Sequence, residues 1–398
     1  MGAYDRPYQL GRYWQQQGHS VTVFIAAFHH LLEKDQISEP DFSVGGVRYI
    51  AVPARAYGKN GIERLGNIWD FSKNLYSIGR DIRAQARAPD VIVASSPHPF
   101  TIFPARSLAK GYGAKLVFEI RDIWPLSITE ILGTSRLHPF VQMCGFAERF
   151  ALKNADLVAS VLPRANRYLS ARGYGNKSFV WVPNGIGIKN EAKFPTNSTE
   201  EFSKAYEAVR SWKSQGKLII VYTGSIGRPN GIDLIINAFR GNISTGYGLI
   251  IAGKGDQLEH LQRITNEHQI RNVHFCGHIP KDNAEFLLTL ADIGYAGLRN
   301  IPSLFEYGIS PNKISDYLQA GLPVFLPIEP CGDPVSESGG GIARKAETPE
   351  AVRKGLEELL LMPQFERQAL GAKGKAYIAR EYDYDRIARR YVEAMDHC

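Results

Sequence analysis

Leu218-Ile219-Ile220-Val221-Tyr222 runs through Thr223 into Gly224-Ser225-Ile226-Gly227-Arg228-Pro229-Asn230-Gly231, and a helix-like stretch follows at 232–240. A short apolar run, a glycine-rich turn and a helix make one strand–turn–helix unit. The unit recurs. Apolar runs stand at 248–251, 273–276, 293–296 and 323–326 downstream, and at 21–26, 47–52, 91–94, 116–120, 157–160 and 179–182 upstream. Such runs, separated by helical patterns, indicate parallel strands covered on both faces. Two series in one chain predict an α/β protein of two doubly wound Rossmann-like domains.

The boundary falls at Asn184-Gly185-Ile186-Gly187. A polar stretch at 189–201 follows, with no apolar period, and reads as a linker. The domains are therefore 1–185 and 186–383. The last stretch, 384–398, is helical, with Ile387, Tyr391, Val392 and Met395 on one stripe, and is expected to pack back on the first domain. The chain opens on a helix: Pro7 suits a first turn, and Leu10, Tyr13 and Trp14 form a stripe before Gly18-His19. A doubly wound domain normally opens on a strand that lies centrally in its sheet, so the first strand is expected to be missing.

Length and composition bound the function classes. At about 150 residues per domain, 398 residues fit two to three domains. Hydrophobic residues are 44% and charged residues 22%, which excludes a disordered chain. The net charge of +7 is uneven: 22 basic against 14 acidic residues in 1–185, and 25 against 26 in the remainder. A basic first half points to an anionic partner such as a phosphorylated substrate or a phospholipid surface. A nucleic acid would share that charge, but no reading module is recognisable. Cys144, Cys276, Cys331 and Cys398 have no metal-ligand spacing. Scattered thiols, with no signal peptide and no apolar run long enough to span a bilayer, predict a cytoplasmic protein.

Three turns carry the chemistry. The Gly224–Gly231 turn presents backbone N–H groups at a helix start, an anion site that Arg228 would reinforce. Gly253-Lys254-Gly255-Asp256 repeats it at the next strand end, where ligands of such sheets bind. The third string is Glu306-Tyr307-Gly308-Ile309-Ser310-Pro311-Asn312-Lys313-Ile314-Ser315-Asp316-Tyr317-Leu318-Gln319-Ala320-Gly321-Leu322-Pro323-Val324. Ser310 and Pro311 start a helix at Asn312. Lys313 lies in its first turn, facing a diphosphate, and Asp316 one turn on, within reach of a ribose.

This string resembles glycosyltransferase family 4, nucleotide-sugar-dependent retaining enzymes of GT-B fold, and within it the bacterial surface-polysaccharide branch that includes N-acetyl-fucosamine transferases. Glu119-Ile120-Arg121-Asp122-Ile123-Trp124-Pro125, Pro183-Asn184-Gly185 and Tyr222-Thr223-Gly224-Ser225 extend the resemblance over the chain. It implies two domains facing across a cleft: 1–185 for the acceptor and 186–383 for a nucleotide sugar, UDP-linked. Asp316 takes the place of the glutamate that holds the donor ribose. Lys313, with Ser310, Pro311 and Asn312, takes the diphosphate and sugar; Gly224, Ser225, Arg228, Gly253 and Lys254 complete the phosphate side; His278 and Ile279 receive the base. Arg121 and Asp122 stand where many members have His-Asp, and with Arg228 and Lys313 are the catalytic candidates. The resemblance implies no cofactor and no metal, and a lipid-linked glycan acceptor for O-antigen or capsule.

The sequence departs from the family in four places. The first of two family glutamates falls on Gly308, with Glu306 two positions off. The family's Arg and Lys fall on Ser225 and Asn230. The N-terminal glycine-rich loop is reduced to Gly2, with Tyr4 and Arg6. Two other readings stay open: a GT-B-like sugar-nucleotide epimerase, and a non-catalytic sugar-nucleotide binder. His29-His30 reads as a loop pair. Ile62, Leu65, Trp69, Leu75, Ile78 and Ile82 read as a core stripe, with Arg64, Lys73, Arg80, Arg83 and Arg87 as a basic face that an anionic membrane would accept.

Overall fold

A computed structural model describes residues 5–28, 39–58, 62–81, 88–96, 98–187, 193–240 and 246–398. Gly2, Tyr4, His29, His30, Ile82, Arg83 and Arg87 lie outside them. The chain divides into two units, Met1–Gly185 with Tyr384–Cys398, and Ile186–Asp383.

The first unit begins with α1 (Asp5–Gln16), β1 (Thr22–Ala26), β2 (Asp41–Val44), β3 (Val47–Val52) and α2 (Ile62–Asp81). Then come β4 (Val91–Ser96), α3 (Ile102–Tyr112), β5 (Lys115–Ile120), α4 (Leu126–Leu132) and α5 (Pro139–Asn154). β6 (Leu157–Ser160), α6 (Ala165–Ala171) and β7 (Ser178–Trp181) close it. Strands β4-β5-β6-β7 form one parallel sheet; β1-β3-β2 form another, with β1 parallel and β2 antiparallel to β3. The β2–β3 hairpin was not expected, although its Gly45-Gly46 turn is a hairpin signal.

The second unit runs through α7 (Glu200–Ser214), β8 (Leu218–Thr223), α8 (Ile232–Ala238), β9 (Tyr247–Ala252), α9 (Leu258–Glu267), β10 (Val273–Gly277) and α10 (Lys281–Leu290). It continues through β11 (Ile293–Tyr295), α11 (Pro302–Phe305), α12 (Asn312–Gln319), β12 (Val324–Leu326), α13 (Pro334–Ser338) and β13 (Gly341–Ala343). It ends with α14 (Pro349–Leu361) and α15 (Gln364–Glu381). The final helix of the chain, α16 (Tyr384–Asp396), returns to the first unit.

The second unit's six strands are all parallel, in the order β10-β9-β8-β11-β12-β13. This is the doubly wound order, and its direction reverses between β8 and β11. Ile220, Tyr222, Leu249, Ile251, Ile293, Tyr295 and Phe325 bury one sheet face against Ile235, Ile236, Leu356 and Leu359. The linker expectation needs one correction. Thr199 caps α7 by accepting from the Phe202 N–H, so the helix starts at Glu200, and Phe194 packs on Phe202, Tyr206 and Phe286.

In the first unit, α1 and α16 bury the β4–β7 sheet, with Leu10, Tyr384, Ile387 and Tyr391 on Val117, Leu157 and Val180. On the other face Leu75 of α2 and Leu108 of α3 meet Val52, Phe24 and Ile92, so both sheets share one core. Among the described residues no strand pairs with the second edge of β1 or of β4. In the second unit the matching position belongs to β8. The apolar side chains of β1, and Val91, Ile92 and Val93 of β4, are accordingly only half-buried, where central strands are usually sealed.

Two expectations about side chains change. On α2, Ile68 and Leu75 are buried but Leu65 and Trp69 are exposed, so the core stripe runs through Ile68. Arg6, which the sequence placed beside Gly2 in what remains of an N-terminal loop, lies in α1. It is buried, donates from Nη2 to Glu119 Oε2 at 2.8 Å, and donates to the carbonyls of Val182 and Pro183. It ties α1 to β5 and to the end of β7. Burial alone would push the Glu119 carboxyl up, but Arg6 holds it below the usual range.

Breaking a buried pair from one side leaves an uncompensated charge and costs about 3–5 kcal/mol. Glu119→Leu should lower the stability of the first unit by that amount, and Arg6→Met/Glu119→Leu should recover most of it. Urea unfolding followed by tryptophan emission reads this directly, since Trp14, Trp69, Trp124 and Trp181 all lie in that unit.

Candidate functional site

The site is built where the second unit's strand order reverses. The turn after β8 and the turn after β9 pack backbone on backbone. The Gly224 N–H donates to the Ala252 carbonyl at 2.9 Å, and the Ile226 N–H to the Lys254 carbonyl at 3.0 Å. A Cβ on Gly253 would stand 1.8 Å from the Gly224 carbonyl oxygen. Close approach of the two turns therefore requires glycine there. It also corrects the anion-cradle expectation: the N–H groups of Gly224, Ile226 and Gly253 are committed to neighbouring backbone. Gly224, Ser225, Arg228 and Lys254 are exposed on these turns.

The charge at this point comes from Lys313, in the first turn of α12. Its Nζ donates to Asn230 Oδ1 at 2.7 Å, to Tyr222 Oη at 3.2 Å and to the Gly297 carbonyl at 3.2 Å. It also lies 4.6 Å from the centre of the Tyr222 ring. These partners come from the end of β8, the turn after it and the loop after β11. All are neutral. With its ammonium so enclosed, burial pushes the Lys313 pKa down to about 7.

Helix α12 starts as expected. Pro311 is its N-cap and supplies no side-chain acceptor to the first turn, and Ser310 and Asn312 flank it. Asp316 is half-buried one turn on. Tyr317, on the same helix, is fully buried, and its hydroxyl accepts from the Thr223 N–H at 2.7 Å, which anchors α12 to the tip of β8. Gly308 has φ 92, a backbone that a glutamate would adopt only with strain. Glu306, two positions before it, is exposed at the end of α11. His278 is exposed after β10, and Ile279 is buried. Sequence reading missed the role of Asn230, which it had marked only as a departure, and of Tyr222 and Gly297.

Arg121 and Asp122 belong to the first unit, just past β5. They line a recess with His98, Glu119, Trp124 and Glu148. Burial pushes the Asp122 carboxyl up against the pull of Arg121. Burial likewise pushes Glu148 up to about 7, although Tyr168 and Arg172 both bond it, and pushes His98 down to about 4. His98 and Glu148 were not among the candidates; no spacing in the sequence links them to Arg121.

A family model of a glycosyl transferase 4-like domain matches residues 2–185, and one of glycosyl transferases group 1 matches residues 217–362. The chain belongs to the glycosyltransferases. WcaI of Escherichia coli (strain K12), a colanic acid biosynthesis glycosyl transferase by name, is 24% identical over 345 residues, 83% of this chain and 79% of that protein. Sucrose-phosphate synthase of Thermosynechococcus elongatus matches with a TM-score of 0.71 at 15% identity, over 98% of this chain and 91% of that one. Anabaena HepE, solved with UDP and glucose, matches with a TM-score of 0.68 at 14% identity, over 100% of this chain and 96% of that one. These neighbours place this glycosyltransferase in the GT-B fold, with two parallel sheets of Rossmann type.

The Lys313 environment predicts a pH signature. An anion there favours the ammonium, so its binding raises a pKa that starts near 7. Below that value affinity is level; above it binding must take up a proton, and affinity falls by up to about tenfold per pH unit. Calorimetry with UDP in buffers of different ionisation heat counts that proton. No uptake above neutral pH, with flat affinity, would show Lys313 already charged in the free protein.

Proposed function

We propose that this glycosyltransferase moves a sugar from a nucleoside diphosphate sugar, UDP-linked, to a lipid-linked glycan of a bacterial surface polysaccharide, with retention at the anomeric carbon. The observation that carries the donor reading is Lys313: a nearly enclosed ammonium with only neutral partners, at the reversal point of a doubly wound sheet. Ligands of such sheets bind at that point, and an anion there would receive the missing countercharge. The diphosphate is assigned to Lys313 and the α12 start at Ser310–Asn312, reinforced by the exposed Arg228. Asp316 is assigned to the ribose, and His278 and Ile279 to the base. The name of WcaI supports a polysaccharide product, and the branch that the motif resembles supports an N-acetylated sugar.

In this reading the bond from the anomeric carbon to the β-phosphate oxygen breaks as the bond to an acceptor hydroxyl oxygen forms. The acceptor hydroxyl attacks from the face that the diphosphate leaves, which retains the configuration, and its proton passes to the departing β-phosphate oxygen. Negative charge grows on the diphosphate, and Lys313 and the N-terminal end of α12 stabilise it in place, the electrostatic contribution that dominates such sites. The reading assigns this role to these groups rather than to a metal or cofactor. Arg121 and Asp122 are assigned to the sugar and acceptor side, on the first unit. Among the described residues no helix is long and apolar enough to cross a membrane, and the reaction is assigned to the cytoplasmic side.

Removing one preorganised charge-stabilising donor typically costs about 10²–10³ in kcat. Lys313→Met should lose that much in a UDP-release assay. Asp316→Ala should raise the donor KM by about tenfold or more, the worth of a charge-assisted hydrogen bond. EDTA should leave the rate unchanged. Proton NMR of the product should show the anomer of the donor. An inverted anomer would overturn retention. Donor turnover without any acceptor would indicate an epimerase, and tight UDP binding without turnover a non-catalytic binder.

A further inference from the structure

Ten large hydrophobic residues are exposed among the described residues, and five of them fall within 131–146: Ile131, Leu132, Leu137, Met143 and Phe146. This stretch is the end of α4, the turn after it and the first half of α5. Leu132 is 74% exposed, Leu137 85% and Phe146 57%. The turn is held in shape, since Gln142 donates to the Arg136 carbonyl at 2.6 Å and His138 caps α5 by accepting from the Phe140 N–H. Phe146 stacks on Phe103 of α3, ring centres 6.0 Å apart, which joins α3 to the same surface.

The charge on this surface is mostly positive; besides the buried Glu148, its acid among the described residues is the half-buried Glu130 of α4, 3.9 Å from Arg136. On α3 stand Arg106 and Lys110 with no acidic residue; on α5 stand Arg149 and Lys153, and the only acid, Glu148, is buried. Arg136 lies in the turn itself. An apolar patch flanked by lysine and arginine matches the interface of an anionic bilayer, with acyl chains beneath phosphate headgroups. A second copy docked through the same patch would set these basic groups against one another, since a two-fold contact uses the same surface on both sides. We propose that the α4–α5 corner of this glycosyltransferase seats on an anionic lipid surface. Leu132, Leu137, Met143 and Phe146 enter the acyl boundary; Arg106, Lys110, Arg136, Arg149 and Lys153 face the headgroups. The sequence pointed to 62–87 for such contact; there Leu65 and Trp69 of α2 are exposed too, and residues 82–87 lie outside the described residues. The proposal stands on this patch and not on the donor-site assignment.

The test is co-sedimentation of the full chain with vesicles of phosphatidylcholine alone and of phosphatidylcholine with phosphatidylglycerol. The expected result is roughly tenfold or greater preference for the anionic vesicles, lost at about 1 M salt, where the Debye length is about 3 Å. Leu137→Glu/Phe146→Glu should abolish binding while leaving the melting temperature and UDP binding unchanged. Arg149→Glu/Lys153→Glu should remove the preference for phosphatidylglycerol. Leu361→Glu, at an equally exposed leucine of the second unit, should change nothing. No binding by the parent chain would overturn the proposal. So would equal binding by the Leu137→Glu/Phe146→Glu variant, or a change from dimer to monomer in that variant with vesicle binding intact.

Discussion

A half-buried ammonium whose hydrogen-bond partners are all neutral organises the second unit's candidate site. Charging Lys313 carries a desolvation cost that its neutral partners offset only in part, and its pKa falls accordingly. Soluble proteins seldom bury a lysine unless something compensates it. In the proposed function an incoming anion supplies that compensation. The partners are held rigidly: Tyr222 donates to the Ser225 carbonyl at 2.6 Å, and the Arg299 N–H reaches the Pro229 carbonyl at 2.7 Å, so the loops after β8 and β11 are tied to each other. Tyr317 fixes the helix that carries the lysine.

The same packing explains the glycines. They read as phosphate-binding residues, yet Gly253 serves first to let two turns touch. That contact sets where β8 ends, and thereby where Tyr222 and Asn230 stand around Lys313. Glycine in a turn of this kind is thus a requirement of shape before it is one of ligand chemistry, and the two readings cannot be separated by composition alone.

In the first unit a different constraint dominates. Arg6 and Glu119 form a buried pair that pins an N-terminal helix across the sheet, and α16, from the far end of the chain, packs beside it. This closes one face. The interior edges of β1 and β4 remain half-covered. The recess past β5 collects Asp122, Glu148 and His98, whose pKa values burial moves in opposite directions, the carboxyls up and the imidazole down.

The strand–helix alternation, the two parallel sheets and the start of α12 were legible in the sequence because they are local. Period, turn residues and a proline cap encode them within a few positions. So were Lys313 and Asp316 on one helix. What encloses Lys313 was not legible. Tyr222 is 91 positions away and Asn230 is 83, brought together only by the strand order. The pairing of Arg6 was hidden for the same reason, since its carboxylate is 113 positions distant. The exposure of Leu137 and Phe146 was equally hidden. Periodicity marks residues as apolar, but only the packing of neighbouring helices decides which of them are left facing solvent.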